Sequence, residues 1–326
     1  MRATVWGSGS WGTALALLLA RNLPEVHLVG RNPVEIARLQ TDRENAHYLP
    51  GHPLPPNVHC VVLDEAPKST DLAVIAVPSG AVAEIAARIP ADTPRVIIAA
   101  KGFEVGTARL LSEVVQAIHP ASHIVILSGP NLAIEIARNI PTVAIAASLH
   151  ESAALEVCRA LHSPMFRVAP SADVPGVEVA GALKNVLAIG AGMSDGLGYG
   201  DNTKGAFLSR GLLDMAKAGM ALGGQLDTFL GPAGVGDLFA TAASKLSRNY
   251  RFGRAIGEGK RHDDALREIG QVVEGIASCE AAMVLADRHR LDLPVLAAVH
   301  QVMHHTLTPM DAVCNLMSRP IRRTDA

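Results

Sequence analysis

The sequence predicts an α/β fold, a doubly wound and mostly parallel sheet, followed by an all-helical C-terminal domain. Three observations predict it. Short β-branched runs alternate with amphipathic helical segments through the first half of the chain. Several of those runs are apolar at every position, as in VIAV at 74–77 and VIIA at 96–99. Near residue 171 the strand pattern stops, and long stretches rich in Ala, Leu, Gly and Met with helical spacing run nearly to the end. Alternating strand and helix is the grammar of βαβ units, and an apolar run without alternation is what a sheet covered on both faces requires.

Strands are expected over 2–6, 25–29, 58–62, 71–77, 95–99, 123–128 and 142–147, with helices such as 10–21, 78–89, 107–118 and 130–138 between them. The length of 326 residues and 34.1 kDa exceeds what one hydrophobic core usually organises. The expected division is a Rossmann-like α/β unit over 1–170 and an all-helical unit over 171–326. The basic tail Arg319 to Arg323 reads as a frayed end.

Composition narrows the function. Apolar residues make up 49% of the chain and charged residues 18%, with mean hydropathy +0.24, so disorder is not expected. Lys and Arg number 29 against 31 Asp and Glu, and aromatics are 3%. Neither a basic footprint nor stacking material for nucleic acid is present. Four dispersed cysteines without a C-x-x-C pair suggest neither zinc knuckle nor disulfide framework, and a reducing cytoplasm is expected. The apolar run Leu15 to Ala20 after Arg2 imitates a signal peptide, but Gly7, Gly9 and Gly12 break it up. No uninterrupted apolar stretch reaches about eighteen residues, so no membrane span is expected. The nearest candidate, Val179 to Met193, is interrupted by Lys184 and Asn185.

Gly7-Ser8-Gly9-Ser10-Trp11-Gly12 is a G-x-G-x-x-G placed directly after the first strand and opening a helix, the Rossmann-like arrangement. There Gly7 permits the tight turn, Gly9 lets backbone approach a pyrophosphate, Gly12 allows close helix packing, and the helix N-terminus offers N–H donors. A glycine-rich turn without a ligand is the bland alternative. The second strand, expected to end in an acid that grips the ribose of NAD, ends instead in Gly30-Arg31-Asn32. A guanidinium pairs bidentately with a 2′-phosphate, so NADP(H) is the preferred cofactor with NAD(H) as the other possibility; a merely exposed Arg31 is the alternative. Val77-Pro78-Ser79, Ala100-Lys101-Gly102 and Ser128-Gly129-Pro130-Asn131 all fall at carboxyl ends of strands, the edge where open α/β sheets bind ligands. Each alone also fits an ordinary βα turn.

The segment 179–190 is apolar all round except for Lys184 and Asn185. A lysine there is either snorkelling at a helix edge or buried, and burial would lower its pKa from about 10.4 toward the range a general acid needs. Gly231 to Thr241 combines glycines with Asp237, and Ser247-Arg248-Asn249 follows; from 184 to 254 eight Lys or Arg stand against five Asp. An anionic substrate suits that excess. Asp237 as a helix N-cap, Arg248 as a surface charge and Glu274 as a first-turn acid remain alternatives. His300 and His304 are spaced i, i+4 beside His305, but no third ligand is evident, so no metal is expected.

Together these motifs resemble the bacterial-type NAD(P)-dependent glycerol-3-phosphate dehydrogenases. The similarity runs from Gly7 to about Ala282 in the family's order: GSGSWGTALA, VPS, AAKG, SGPNLAIEIA, GALKNVLAIGAG, GVGDLFAT, SRNYRFG and VVEG. The resemblance implies that Ser10, Trp11, Arg31, Tyr48, Lys101, Ala133, Arg248, Val272 and Glu274 contact the dinucleotide. It implies substrate contacts from Lys101, Gly129, Asn131, Lys184, Asp237, Ser247, Arg248 and Asn249. It makes Lys184 the catalytic lysine of dihydroxyacetone phosphate reduction to sn-glycerol 3-phosphate, a step that feeds glycerophospholipid synthesis. On that mechanism Asp237 orients Lys184, Lys101 stabilises charge at the reacting oxygen, and Arg248 with Asn249 holds the phosphate. A homodimer is also implied. Asn131 departs from the Ser or Thr common in the family, and Gly205 from a common Ala. Two other readings are another two-domain β-hydroxyacid dehydrogenase and a catalytically silent NADP-binding sensor; the Ser-Arg-Asn cluster disfavours the first, and the presence of both Lys184 and Asp237 the second.

Overall fold

The computed structural model describes residues 1–320. Its eight strands are β1 (Arg2–Trp6), β2 (Glu25–Gly30), β3 (Val58–Val62), β4 (Leu72–Ile75), β5 (Arg95–Ile98), β6 (His123–Ser128), β7 (Thr142–Ala147) and β8 (Phe166–Ser171). They form one sheet in the order β3, β2, β1, β4, β5, β6, β7, β8. All neighbours run parallel except β6 and β7. Strand order reverses between β1 and β4, which opens a crevice at their carboxyl ends.

Helices α1 (Ser10–Leu19), α2 (Pro33–Asp42), α3 (Val82–Ala86), α4 (Leu111–Ile118), α5 (Ala133–Ala137) and α6 (Glu151–Leu161) connect the strands. Leu72, Val74, Ile97, Val125 and Leu127 share one core with residues of α1, α2, α5 and α6. Their neighbours Ala73, Ile75, Val96, Ile98, Ile124 and Ile126 share another with α3 and α4. Successive side chains point to opposite faces, so a strand covered on both must be apolar throughout.

The structure adds β8, an edge strand whose Arg167 and Pro170 break the β-branched pattern; proline is tolerated at an edge because its missing N–H costs no ladder bond there. All four helices expected between the strands are shorter than their expected spans, α1 by two residues at its end. Residues 78–89 contain a 3₁₀ turn at Ser79–Ala81 before α3. Phe103 bridges Leu110, delaying α4 to Leu111. Gly129 at φ +125° followed by Pro130 holds 129–132 out of helical geometry, so α5 starts at Ala133.

Beyond β8 the described chain is helical: α7 (Val174–Gly196), α8 (Asp201–Ala221), α9 (Leu226–Leu230), a π-helical turn Pro232–Gly236 running into α10 (Asp237–Ala242), α11 (Arg248–Gly257), α12 (His262–Ile269), α13 (Glu274–His289), α14 (Pro294–Met303) and α15 (Pro309–Met317). Of the tail, Ile321 to Arg323 lie outside the described residues.

Helix α7 is the axis of this half, packed by α8, α10, α11, α13 and α14. Its 23 residues are long and apolar enough to cross a membrane, which corrects the exclusion on length; 94% of its most apolar window is buried inside the protein, so packing explains the composition. Against α11 the two backbones nearly touch. A Cβ on Gly253 would lie 1.9 Å from Ile189 O, and one on Gly192 2.1 Å from Tyr250 O. Only glycine permits that approach, which brings the start of α11 beside Asn185.

Candidate active site

The nucleotide end is built from β1, α1 and the loop after α2. Gly7, at φ +119°, bonds Val29 O and sits where a Cβ would meet Ala76 O at 2.6 Å. A Cβ at Gly12 would strike Gly7 O. Gly9 is different: it is the N-cap of α1, no side chain caps it, and a Cβ there would meet nothing within 4 Å. Open space in front of a helix N-terminus is the cradle an anionic pyrophosphate needs.

The residues expected around this cradle brace it. Ser10 Oγ donates to Tyr48 O at 2.7 Å and Trp11 Nε1 to Ala99 O at 3.2 Å. Buried Asn45, which the sequence reading missed, ties the loop together: its amide donates to Ser8 O and Thr13 Oγ1, and its carbonyl accepts from Tyr48 N. The only sequence signal was a polar residue among loop residues. Arg31 is exposed just past β2, with Asn32 capping α2. Ala133 opens α5, and Val272 is half exposed before α13.

Glu274 begins α13 and does more than serve as a first-turn acid. Its carboxylate accepts from Ser79 N at 3.1 Å and from Ser79 Oγ at 2.5 Å, joining the helical half to the β4 edge. A Cβ on Gly102 would lie 2.6 Å from Ser79 Cβ, so the three residues interlock. Crowding of the Arg248 guanidinium by neighbouring groups at the start of α11 lowers its pKa and Glu274 opposes that shift, although the residue as a whole remains exposed.

The chemical centre lies where α7, α10 and the β5 and β6 edges meet. Lys184 is buried, not snorkelling. Its ammonium bonds Asp237 Oδ1 and Thr241 Oγ1, the latter at 2.8 Å. Lys101 Nζ donates to Asp237 Oδ2 at 2.7 Å and to Gly129 O at 2.9 Å. Asp237, 1% exposed, follows Gly236 as the first residue of α10; its carboxylate binds lysines and caps nothing. Burial lowers the Lys184 pKa from 10.5 to about 7; Asp237 opposes the shift and the Lys101 cation adds to it. Thr241 was missed as a partner, though it stands four residues after Asp237 and shares its helix face.

Asn131 is enclosed, and neither its amide nitrogen nor its oxygen has a partner among the described residues; Ser128 Oγ is likewise unsatisfied. Buried polar groups left unpaired beside a cleft mark a place for a ligand. Together with the Gly9 cradle they fit a nicotinamide dinucleotide and a small polar substrate.

The Ser247-Arg248-Asn249 cluster divides. Ser247 caps α11 by accepting from Tyr250 N. Asn249 is buried, donating to Asn185 Oδ1 and accepting from Gly275 N, both at 2.9 Å. Those bonds use one amide proton and the carbonyl oxygen to hold α7, α11 and α13 together, and leave the second amide proton over. Arg248 alone of the three is exposed. The absence of a third ligand for His300 and His304 is corrected too, because Glu280 on α13 stands beside both.

Two family models match this chain: the N-terminal part of NAD-dependent glycerol-3-phosphate dehydrogenase over residues 2–154 and its C-terminal part over 173–314. The chain belongs to the glycerol-3-phosphate dehydrogenase family. The family member from Desulfitobacterium hafniense, a glycerol-3-phosphate dehydrogenase [NAD(P)+], is 43% identical, covering 98% of this chain and 91% of its own. One from Streptomyces griseus is 41% identical over 98% and 97%. The crystal structure of the Coxiella burnetii glycerol-3-phosphate dehydrogenase superposes with a TM-score of 0.93 at 37% identity, covering 98% of this chain and 99% of that one. In the family frame, the paired lysines and Asp237 occupy the junction between an N-terminal Rossmann-like domain and a helical C-terminal domain.

Proposed function

We propose that this chain reversibly reduces dihydroxyacetone phosphate to sn-glycerol 3-phosphate, using NADPH in preference to NADH. The observation that carries the reading is the buried Lys184 ammonium, held by Asp237 and Thr241 with Lys101 on the other carboxylate oxygen. An ammonium has three N–H donors. Two of those on Lys184 are engaged within the protein, which leaves one for a substrate oxygen.

When bound, the reduced dinucleotide supplies hydride to C2 of the substrate. Lys184 donates a proton from Nζ to the oxygen on C2 and accepts it back in the oxidative direction. Asp237 fixes the direction of that proton. Lys101, also with two donors engaged, turns its third toward developing negative charge on the same oxygen. Arg248, Asn249 and the first-turn N–H groups of α11 receive the phosphate, Asn249 through the amide proton that its bond to Asn185 leaves over. Arg31 pairs with a 2′-phosphate of the cofactor.

Residues 1–170 and 171–326 are the functional units of this reading. It also has the enzyme acting in the cytoplasm as a homodimer that feeds glycerophospholipid synthesis. Exposed Leu213 and Met220 on α8 are surface of the kind a second copy covers, and light scattering on the eluted protein tests it. The reaction is tested by following nicotinamide absorbance with dihydroxyacetone phosphate, unphosphorylated dihydroxyacetone and short β-ketoacids in parallel. Oxidation that depends on the phosphate is expected; faster turnover of a β-ketoacid would contradict the substrate assignment.

A further inference from the structure

On the outer face of the helical domain three side chains converge, none of them bonded to the Lys101, Asp237 and Lys184 cluster. His300 and His304 lie one turn apart on α14 and at its end, with ring centroids 4.2 Å apart. Glu280, from the middle of α13, meets His300 Nε2 at 3.2 Å and His304 Nε2 at 2.5 Å. One ligand atom from each residue lies within 4.8 Å of the others. His305 takes no part, because its ring packs on His262 at 4.1 Å.

We propose that Glu280, His300 and His304 form a binding site for a borderline transition-metal dication of the Zn2+ class, which pins α13 to α14. Around a tetrahedral Zn2+ with bonds of about 2.0–2.1 Å, ligand atoms are about 3.3 Å apart. The two carboxylate-to-imidazole separations, 3.2 and 2.5 Å, lie below that value and all three ligand atoms are within 4.8 Å of one another, so the ion fits with small rotations of solvent-accessible side chains. Two imidazoles and one carboxylate suit Zn2+ rather than Mg2+ or Ca2+, which prefer all-oxygen shells. Three protein ligands leave a fourth position for water. The helices joined matter: α13 begins with Glu274, which bonds Ser79 across to the sheet. An ion that binds only the folded chain stabilises it in proportion to its saturation. The site is independent of the reaction proposed above.

The test uses the full chain, purified without a polyhistidine tag and stripped with chelator. Equilibrium dialysis should give one Zn2+ per chain, Co2+ should give visible d–d bands of a four- or five-coordinate centre, and Zn2+ but not Mg2+ should raise Tm. His304→Ala and Glu280→Gln should each weaken Zn2+ binding at least about tenfold while leaving metal-free turnover unchanged. Absence of stoichiometric uptake by the folded wild type would overturn the proposal. Undiminished uptake by either variant, shown by circular dichroism to be folded, would overturn it equally, since the ion would then sit elsewhere.

Discussion

Lys184 and Lys101 bind opposite oxygens of one carboxylate, that of Asp237. One negative charge therefore serves two cations in a nearly water-free place. Burial weighs most on Lys184, and the second cation pushes in the same direction, so its pKa falls to about 7 despite the ion pair. That is a lysine poised to give and take a proton near neutral pH.

The pH dependence of turnover follows with a definite sign. As the acid in reduction, Lys184 must be protonated, so kcat/KM for reduction should be highest below about pH 7 and fall above it. Oxidation needs the neutral amine and should rise through the same range. Asp237 raises the pKa, so Asp237→Asn should move both inflections to lower pH; Lys101→Met removes a cation that lowers it and should move them up. Steady-state rates in both directions across pH check this, and unmoved inflections in both variants would contradict the coupling.

Cofactor choice rests on the end of β2. Replacing Arg31 by Asp exchanges a phosphate-binding guanidinium for a hydroxyl-binding carboxylate. The NADPH to NADH ratio of kcat/KM should fall about tenfold to a hundredfold, the worth of one charge-assisted contact. Comparison of the two cofactors at saturating substrate measures it.

Glu178 on α7 is buried, accepts from Ser112 N at 2.9 Å, bonds Ser112 Oγ, and has its pKa raised from 4.5 to about 7 by burial. Between those values the folded state holds more protons than the unfolded one, so stability must fall as pH rises from about 4.5 to about 7. The slope is at most about 1.4 kcal/mol per pH unit. In Glu178→Gln this component should vanish, which urea unfolding at a series of pH values would show.

The α7 and α11 contact admits no side chain at its centre. Gly253→Ala would place a carbon 1.9 Å from Ile189 O, and the strain of parting two helices should outweigh the roughly 1 kcal/mol alanine gains in helix propensity. A net loss of about 2 kcal/mol or more in urea unfolding is expected, with a rise in KM as Arg248 shifts.

Particular residues show what the chain revealed before it was folded. The parallel sheet was legible in VIAV and VIIA because burial on both faces leaves no polar position. Lys184 was legible as an isolated charge in an apolar helix. Its partner came only through the family resemblance and not from spacing, since Asp237 lies 53 residues away and only tertiary packing unites them. The antiparallel entry of β7 was invisible too, because side-chain pattern carries face but not direction. The ties of Asn249 to Asn185 and Gly275 were invisible for a related reason: an amide that joins helices has the same sequence appearance as one that only faces a ligand. Glu280 escaped notice because its partners lie on the next helix.

The central claim, that Lys184 supplies the proton in dihydroxyacetone phosphate reduction, is tested most directly by single-turnover reduction with Lys184→Met already loaded with NADPH. Cofactor affinity should remain within a few-fold of wild type while the hydride-transfer rate falls by about 10²–10⁴, the usual contribution of a positioned acid. A variant that binds NADPH normally and turns over at nearly the wild-type rate would contradict the account.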